Sequence, residues 1–337
     1  MRVLVLVWGR QVETLQASPL IRTLDAGLPD AHITVACSPA AARIARGLKE
    51  ADEVLPLRGL DPGGSVIAWS AAWARIRRGR FDAAFVCGTA PSTRLLAYLA
   101  GVPRRLGPRG GLSAVLLSDR LRAEPRENRA ATWLRLARLL GVRAERHAPR
   151  FEPGAVAAQQ ALVQLHSTGI ADGRLIVAFA PGSGHSDVIG LDPDLTAWDP
   201  ERWAHLANLL GTRHGAGIIF VGATDDQEAV HAAAADISVP QADVTGQLDT
   251  AAVAALFRLC DLVVSGDSPL LHLAAGVGTP TIGLFGPTDG RLRAPYGEEH
   301  RVIQAIPPAG RDPIWPDEPL MERIRVDDVL AGIEGPY

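Results

Sequence analysis

Short apolar runs alternate with amphipathic stretches along most of the chain. Runs rich in valine, isoleucine and leucine predict buried strands, and apolar residues three or four positions apart predict helices. Strands are expected at 3–7, 32–37, 54–57, 83–87, 175–180, 217–221, 261–265 and 281–285. Helices are expected at 18–26, 39–48, 69–77, 92–100, 130–140, 200–210, 226–235, 250–260 and 269–275. This alternation is typical of parallel sheets with helices on both faces.

One stretch breaks the alternation. Residues 104–150 are dense in arginine and have little strand pattern, and the segment HAPRFEPG at 147–154 has the prolines and glycine of a linker. The pattern therefore predicts an α/β protein of two doubly wound domains, residues 1–150 and 151–325, with a last helix near 326–333. Doubly wound sheets bind ligands at the carboxyl ends of their strands, so a cleft between the two domains is the expected site.

The composition is that of a folded, soluble protein. Of the 337 residues, 47% are apolar and 21% are charged, which excludes disorder. The net charge of −3 provides no global field for nucleic acid or an anionic membrane, so recognition of anions is expected to be local. Aromatic residues do not alternate closely with the arginines, so nucleic acid is not an expected partner.

Lysine and cysteine usage narrows the chemistry. Lys49 is the only lysine, which is typical of a GC-rich genome and nearly excludes Schiff-base catalysis and lysine contacts to phosphate. Cys37, Cys87 and Cys260 are far apart, with no metal-ligand spacing, and are predicted to be buried free thiols in a reducing compartment. The apolar run at 2–7 is too short to span a membrane and lacks a cleavage site, so a cytoplasmic protein is expected.

Two predicted strands end in sequences that suit an anion. The turn at 181–184 (PGSG) exposes backbone amides after one strand, and the helix that starts with Asp267, Ser268 and Pro269 directs its N-terminal dipole towards the same edge. Both features have ordinary alternatives. The first is also a common strand-end turn, and the second is also a plain helix cap followed by a core histidine, His272.

Together these residues resemble glycosyltransferase family 9, the bacterial ADP-heptose:lipopolysaccharide heptosyltransferases. The likeness is strongest over 261–289 (DLVVSGDSPLLHLAAGVGTPTIGLFGPTD), which is similar to the donor-binding signature of the family. Residues 1–24 resemble its opening strand, glycine loop and helix, and WDPERWAHL at 198–206 resembles a helix entry of the family. The resemblance implies a GT-B fold, inversion at the sugar, no metal, no cofactor beyond the nucleotide sugar, and a last helix that returns to the first domain.

The resemblance also implies site residues. Glu13 stands where the family has an aspartate proposed as the general base, and the alternative is a solvated loop carboxylate. The implied donor contacts are Ser183, Gly184, Thr224 or Asp225 for the ribose, Leu248 for the base, Asp267, Ser268 and His272. Asp267 is expected to orient its loop rather than take part in the chemistry.

Two departures from the family pattern affect the donor site. The family's phosphate lysine is absent from the region of Thr196 and Trp198, behind an insertion at 185–195, and Arg202 or Arg291 is the expected replacement. Pro269 replaces a glycine and removes one backbone donor. Both changes leave the identity of the nucleotide sugar more open than the fold.

The acceptor is expected to be anionic. The first domain contains a set of arginines that suits phosphate or carboxylate groups, namely Arg104, Arg105, Arg109, Arg120, Arg122, Arg126 and Arg129. The alternative is a solvated surface paired with Glu124 and Glu127.

The sequence thus predicts a monomeric, inverting, metal-independent glycosyltransferase that transfers heptose from ADP-heptose to an anionic saccharide such as lipopolysaccharide core. Contact with a membrane is expected at most through that acceptor. Two alternatives remain: a natural-product tailoring glycosyltransferase that uses another nucleotide sugar, and a binding module that has lost turnover.

Overall fold

Each half of the chain folds around a parallel sheet of six strands. The computed structural model describes residues 1–61, 63–124, 126–145, 147–170, 174–182, 193–305 and 320–335. The chain divides into two compact units, Met1–Glu152 and Pro153–Tyr337, with the division inside the 147–154 segment.

The first unit has the strand order β3-β2-β1-β4-β5-β6. Its strands are β1 (Arg2–Val7), β2 (His32–Cys37), β3 (Glu53–Pro56), β4 (Ala83–Cys87), β5 (Arg104–Pro108) and β6 (Asp119–Leu121). Its helices are α1 (Gln11–Gly27), α2 (Ala42–Arg46), α3 (Val66–Gly79), α4 (Pro91–Leu99) and α5 (Arg129–Leu136), with 3-10 turns at Pro39–Ala41, Leu112–Leu116 and Ala137–Leu140.

The second unit repeats this topology, with the order β12-β11-β10-β7-β8-β9. Its strands are β7 (Ile176–Ala180), β8 (Gly217–Phe220), β9 (Gln241–Asp243), β10 (Leu262–Gly266), β11 (Thr281–Phe285) and β12 (His300–Gln304). Its helices are α6 (Ala155–Ser167), α7 (Pro200–His214), α8 (Gln227–Ala234), α9 (Thr250–Phe257), α10 (Pro269–Gly276), α11 (Gly290–Arg293) and α12 (Val326–Glu334). Its 3-10 turns are Pro193–Thr196, Thr224–Asp226 and Leu320–Arg323.

Alternating side chains of β1 explain how the first sheet is covered on both faces. Val3 and Val5 lie in one buried cluster with residues of α1, α2 and α5, whereas Leu4 and Leu6 lie in another with residues of α3 and α4. All four side chains are fully buried. A strand that is apolar on both faces is thus the central strand of a doubly wound sheet, as its sequence predicted.

The expected start of α1 at residue 18 is wrong. The helix begins at Gln11 and continues through Pro19, whose ring nitrogen cannot donate to the carbonyl of Leu15. The Ser18 hydroxyl compensates because it donates to Leu15 O at 2.7 Å, and it also accepts the backbone N–H of Arg150 at 3.0 Å. A proline that predicted a helix start therefore lies in the middle of the helix.

The expectation of little strand structure in 104–150 is also wrong, because β5 and β6 lie there. Arg104 keeps its guanidinium at the sheet edge, where Nη2 donates to Asp119 at 2.8 Å and to the carbonyl of Leu139 at 2.7 Å. Arg105 donates through Nε to Leu116 O at 2.7 Å. Long side chains with charged ends can occupy such outer strands, so apolar periodicity did not reveal them.

Several smaller elements also differ from the prediction. The expected helix 39–48 is a 3-10 turn followed by the short α2, and the sequence did not predict β9, β12 or α11. Helix α12 packs Val329 and Leu330 into the core of the second unit. Its return to the first domain stays a prediction. Among the described residues, no helix combines the length and apolar character needed to cross a membrane.

Candidate functional site

The second sheet has a topological switch point between β7 and β10. These two strands are neighbours, and the chain continues from β7 towards β8 on one side and from β10 towards β11 on the other. A crevice opens outside the carboxyl ends of strands at such a point. Pro181 and Gly182 follow β7 there, and Asp267 and Ser268 follow β10. The predicted contacts Ser183 and Gly184 lie outside the described residues.

Ser268 forms the cap of α10 at this edge. Its backbone is extended and its hydroxyl accepts the N–H of Leu271 at 3.4 Å, while the hydroxyl of Ser265 lies 2.8 Å from it. Pro269 is the first residue of the helix, a position where a backbone N–H has no partner within the helix. The proline thus removes one donor and leaves the N-terminus of an eight-residue helix intact.

Asp267 is held by Arg293, a residue that the sequence analysis missed. The guanidinium of Arg293 donates through Nε and Nη2 to the two carboxylate oxygens of Asp267, and both side chains are mostly buried. This pair ties the β10–α10 loop to α11. A lone arginine outside the quoted motif gave no signal, because its partner is 26 positions away.

A second pair lies beside the first. Asp289 caps α11 and accepts hydrogen bonds from Nε and Nη2 of Arg291 at 2.9 and 2.7 Å. The Asp289 side chain is 4% exposed and that of Arg291 is 52% exposed, so the guanidinium extends from a buried carboxylate towards solvent. Arg291 therefore combines an anchored side chain with an accessible positive charge.

Gln304 organises the loop between β11 and α11. Its amide nitrogen lies within 3.1 Å of the carbonyls of Phe285, Gly286 and Thr288, and its amide oxygen accepts the N–H of Gly290 at 2.8 Å. The sequence analysis did not single out Gln304 because it lies on β12, outside the signature.

Two buried hydroxyls at the carboxyl ends of the strands of the second sheet have no hydrogen-bond partner among the described residues. They belong to Thr245, which follows β9, and Thr288, which follows β11. Both residues are at most 6% exposed. Because buried polar groups are almost always paired, such hydroxyls are typical of positions that a ligand or water completes.

The predicted ribose and base contacts follow β8 and β9. Thr224 and Asp225 are exposed on the 3-10 turn, and Leu248 is half-buried. The neighbouring Asp226 is buried instead, and its carboxylate accepts the N–H of Ala223 at 2.8 Å. A Cβ at Gly182 would lie 2.2 Å from Cγ of Asp226, so this side chain packs against the end of β7.

Two other predicted residues have structural contacts. His272 is the fourth residue of α10 and is 3% exposed. Arg202 on α7 donates through Nη1 to the carbonyls of Glu322 and Ile324, each at 2.7 Å. These bonds hold the segment before α12. Arg291 and Arg293, in contrast, lie on α11, which follows the carboxyl end of β11. Neutralisation of phosphate by Arg202 stays a prediction.

Glu13 lies in the first turn of α1, just after the strand end of β1. Its Oε2 accepts the backbone N–H of Arg10 at 2.9 Å, and its Oε1 accepts Nη1 of Arg129 at 3.2 Å. A Cβ at Gly9 would lie 2.7 Å from Cδ of Glu13, so the glycine makes room for this carboxylate. The side chain of Glu13 is 21% exposed and therefore reachable from solvent.

Buried Arg94 holds two loops at the carboxyl ends of the strands of the first sheet. Its guanidinium donates to the carbonyls of Gly88, Pro108 and Gly110 and to the hydroxyl of Ser113. Burial lowers the pKa of this guanidinium from its usual value. Arg94 thus joins the loop after β4 to the loop after β5 through three backbone carbonyls and one serine hydroxyl.

The chain matches the family model described as glycosyltransferase family 9 (heptosyltransferase) over residues 69–312. It is 26% identical to lipopolysaccharide heptosyltransferase 2 of Escherichia coli strain K12 over 324 residues, which cover 91% of this chain and 88% of that protein. A solved family 9 glycosyltransferase from Veillonella parvula superposes with a TM-score of 0.83 at 20% identity, covering 99% of this chain and 96% of that one.

An E. coli heptosyltransferase solved with ADP-2-deoxy-2-fluoro heptose superposes with a TM-score of 0.70 at 20% identity, and 99% of each chain is covered. The two superpositions confirm the GT-B fold class expected from the sequence. The family match covers well over half of the chain and includes the β10–α10 and β11–α11 loops. The chain belongs to glycosyltransferase family 9, and it is a glycosyltransferase.

Proposed function

We propose that this enzyme transfers heptose from ADP-heptose to an anionic saccharide of the lipopolysaccharide core, with inversion and without a metal ion, in the cytoplasm. Family membership supports sugar transfer. The E. coli relative is named for lipopolysaccharide, and one structural neighbour was solved with an ADP-linked heptose analogue. The donor and the acceptor are inferred from these names, and the roles below are inferred from the residues of this chain.

The switch point between β7 and β10 is the observation on which the donor site rests. The N-terminus of α10 offers backbone amides and a positive dipole end to a diphosphate. Asp267 and Asp289 would repel that anion, but Arg293 and Arg291 hold the two carboxylates. The hydroxyl of Thr288, which has no partner in the part of the chain that the structure describes, is a further donor at this edge. An anionic ligand is therefore met by amides, a hydroxyl and guanidinium groups.

The departing diphosphate needs positive charge, and the sequence of the second unit contains no lysine that could supply it. Arg291 is the favoured source because its carboxylate partner is buried while its guanidinium is half-exposed. A guanidinium can form two hydrogen bonds to a phosphate and is always protonated. Such a site stabilises the leaving group by fixed charges, and this is the basis for proposing turnover without a divalent ion.

Glu13 is the proposed general base. Its carboxylate takes the proton of the acceptor hydroxyl while that oxygen attacks the anomeric carbon. The new carbon–oxygen bond forms on the face opposite the carbon–oxygen bond to the diphosphate, which breaks with its electron pair, so the configuration inverts. Hydrogen bonds from Arg10 and Arg129 use one acceptor position on each carboxylate oxygen and leave others for this proton.

Nucleotide selectivity tests the donor assignment. We expect calorimetry in EDTA to show ADP binding more tightly than GDP, UDP or dTDP. Preference for UDP or dTDP would contradict ADP-heptose as the donor and favour the tailoring alternative. That alternative is based on Pro269 and on the absence of the family's phosphate lysine.

Transfer from ADP-heptose to a lipopolysaccharide acceptor truncated before heptose then tests the reaction. We expect turnover in EDTA, and NMR of the product should show the anomeric configuration opposite to that of the donor. Turnover that requires added magnesium, or a product with retained configuration, would contradict the proposed mechanism.

A further inference from the structure

We propose that the outer face of α3, α4 and the 3-10 turn Leu112–Leu116 is a docking surface for an anionic phospholipid membrane. This surface, called the outer face below, belongs to the first unit, on the side of the sheet covered by α3 and α4. It does not depend on the donor or the acceptor proposed above.

The outward positions of α4 are apolar. Its exposed residues are Pro91, Leu95, Tyr98 and Leu99, which recur three to four positions apart and therefore form one stripe along the helix. Its inward positions include the buried Arg94. A surface helix of a soluble protein normally has the opposite arrangement, with polar side chains outside.

The neighbouring elements extend this apolar stripe. Val66 and Ile67 at the start of α3 are each 81% exposed, and Leu112 and Val115 are 95% and 69% exposed. Of the thirteen large apolar side chains that are exposed in the described part of the chain, seven lie between positions 66 and 115. Such clustering marks an interaction surface, whereas single exposed apolar residues are normal.

These elements are in direct contact. The indole Nε1 of Trp73 on α3 donates to Leu99 O on α4 at 2.9 Å. Arg105 places its guanidinium 5.3 Å from the ring centre of Tyr98 and donates through Nε to Leu116 O. The exposed apolar residues of the outer face therefore lie on elements that pack against one another.

Positive charge is in excess around this surface. Residues 63–118 contain the single acidic residue Asp82, in a chain whose net charge is −3. The same segment contains eight arginines. Arg94 is buried and Arg104 is paired with Asp119, and the other six are Arg75, Arg77, Arg78, Arg80, Arg105 and Arg109. Asp82 accepts the backbone N–H of Arg2 at 2.7 Å. Apolar side chains beside basic ones match the acyl boundary and the headgroups of an anionic bilayer.

A groove of about 780 Å³ opens among these arginines. It is lined by Trp73, three arginines (Arg77, Arg78 and Arg80), Phe81 and Asp82, among others, and Arg77 lies over the ring of Trp73. Guanidinium groups beside aromatic rings suit a phosphodiester whose glycerol and acyl parts are apolar. The groove therefore has the chemistry of a lipid headgroup site at the edge of the outer face.

Two other occupants fit less well. A second copy of this chain would bring two arginine-rich faces together, which is unfavourable. Nucleic acid would need aromatic platforms between the arginines, and most exposed apolar residues of the outer face are aliphatic. A lipid surface satisfies both the charge and the aliphatic side chains.

Sedimentation with unilamellar vesicles tests the proposal on the full-length enzyme. We expect binding to vesicles of phosphatidylcholine with phosphatidylglycerol, weaker binding to phosphatidylcholine alone, and a fall in binding as salt is raised. The variant Arg77→Gln/Arg78→Gln should lose roughly tenfold or more in partitioning to anionic vesicles only, because each basic residue near such a surface is worth about fivefold. The variant Ile67→Gln/Leu95→Gln/Leu99→Gln should bind both kinds of vesicle less.

Matched controls carry the same substitutions elsewhere. Arg138→Gln/Arg143→Gln removes two exposed charges from the opposite face of the same sheet, and Val156→Gln/Leu162→Gln/Val163→Gln removes three exposed apolar residues from α6. Both controls should bind vesicles like the wild type, and circular dichroism should report native spectra throughout.

The proposal is overturned if the folded wild type does not bind anionic vesicles, or if the controls lose as much binding as the outer-face variants. It is equally overturned if those variants change only self-association or nucleic-acid binding. The vesicles contain neither donor nor saccharide acceptor, so the result is separate from that of the transfer assay.

Discussion

Glu13 has two contacts that fix its carboxylate in one orientation. The backbone amide of Arg10 and the guanidinium of Arg129 each donate to one oxygen, and Gly9 leaves the space that the side chain fills. These contacts are also what a purely structural helix-cap residue would have. The structural and the catalytic interpretations differ in whether the basic oxygen matters, and a substitution that keeps the cap can separate them.

Glu13→Gln is that substitution. Glutamine can still accept the N–H of Arg10 but is not basic, so turnover should fall by roughly 10² to 10⁴ while affinity for ADP stays within about twofold. Steady-state kinetics and calorimetry measure the two quantities. Asp25→Asn removes an exposed carboxylate from the same helix and should leave both unchanged.

Near-wild-type turnover of Glu13→Gln would remove Glu13 from the mechanism. An equal loss of ADP affinity would make it a structural residue.

His300 links stability to pH. It begins β12 opposite Thr281, whose hydroxyl lies 3.1 Å from its Nδ1, and burial lowers the pKa of its imidazole from 6.5 to about 4. The unfolded chain therefore binds a proton on this imidazole below pH 6.5, whereas the folded chain does not bind it until the pH falls to about 4. The free energy of unfolding should fall by up to about 3 kcal/mol as the pH drops through this window, with no such contribution above it.

Urea unfolding at several pH values checks this expectation against His300→Gln. The variant should lose less stability than the wild type between pH 6.5 and 4. Parallel curves for the two proteins would show that His300 does not contribute.

At the scale of elements, Gln304 joins β12 to the loop between β11 and α11. Replacement by leucine removes the side-chain hydrogen bonds to Gly286 O, Thr288 O and Gly290 N at once. Because unpaired buried polar groups are costly, Gln304→Leu should lower the free energy of unfolding by roughly 1–3 kcal/mol in urea. Gln164→Leu, which removes one exposed amide pair with Gln247, should cost much less. Equal losses would show that the loop does not depend on Gln304.

The central elements were predictable because burial on both faces leaves a continuous apolar run. The strand 83–87 and the strand 281–285 have the predicted bounds, and both are fully buried. Strands β5 and β6 were not predicted, because the charged side chains of Arg104 and Arg105 mask the apolar pattern of β5. Pro19 misled the prediction of α1, since the compensating hydroxyl of Ser18 is visible only in three dimensions.

The same reasoning separates the site residues. Asp267, Ser268 and His272 were predicted because one contiguous signature contains them. Arg293 and Gln304 were missed because each acts on a partner at least 14 positions away and belongs to no motif. Local sequence patterns thus predict where the chain turns at the sheet edge, and packing decides which distant side chains hold those turns.

At the scale of the whole molecule, the three cysteines report on the two units separately. Cys37 and Cys87 are buried in the core of the first unit, and Cys260 is buried in the second. Burial raises the pKa of Cys37 to about 11 and that of Cys260 to about 12, and it raises the pKa of Cys87 further. The thiolate is the reactive form, so none of these residues should be alkylated in the folded enzyme near pH 8.

Pulsed alkylation along a urea gradient, read by mass spectrometry for each cysteine, therefore follows the unfolding of each unit. A ligand stabilises only what it binds, by about 2.7 kcal/mol at a concentration of one hundred times its Kd. If ADP binds at the switch point of the second sheet, the transition of Cys260 should move to higher urea and those of Cys37 and Cys87 should move much less. GDP at the same concentration is the matched control. A shift confined to Cys37 and Cys87 would put the nucleotide in the first unit and contradict the donor site, because the amides and guanidinium groups assigned to the diphosphate all belong to the second.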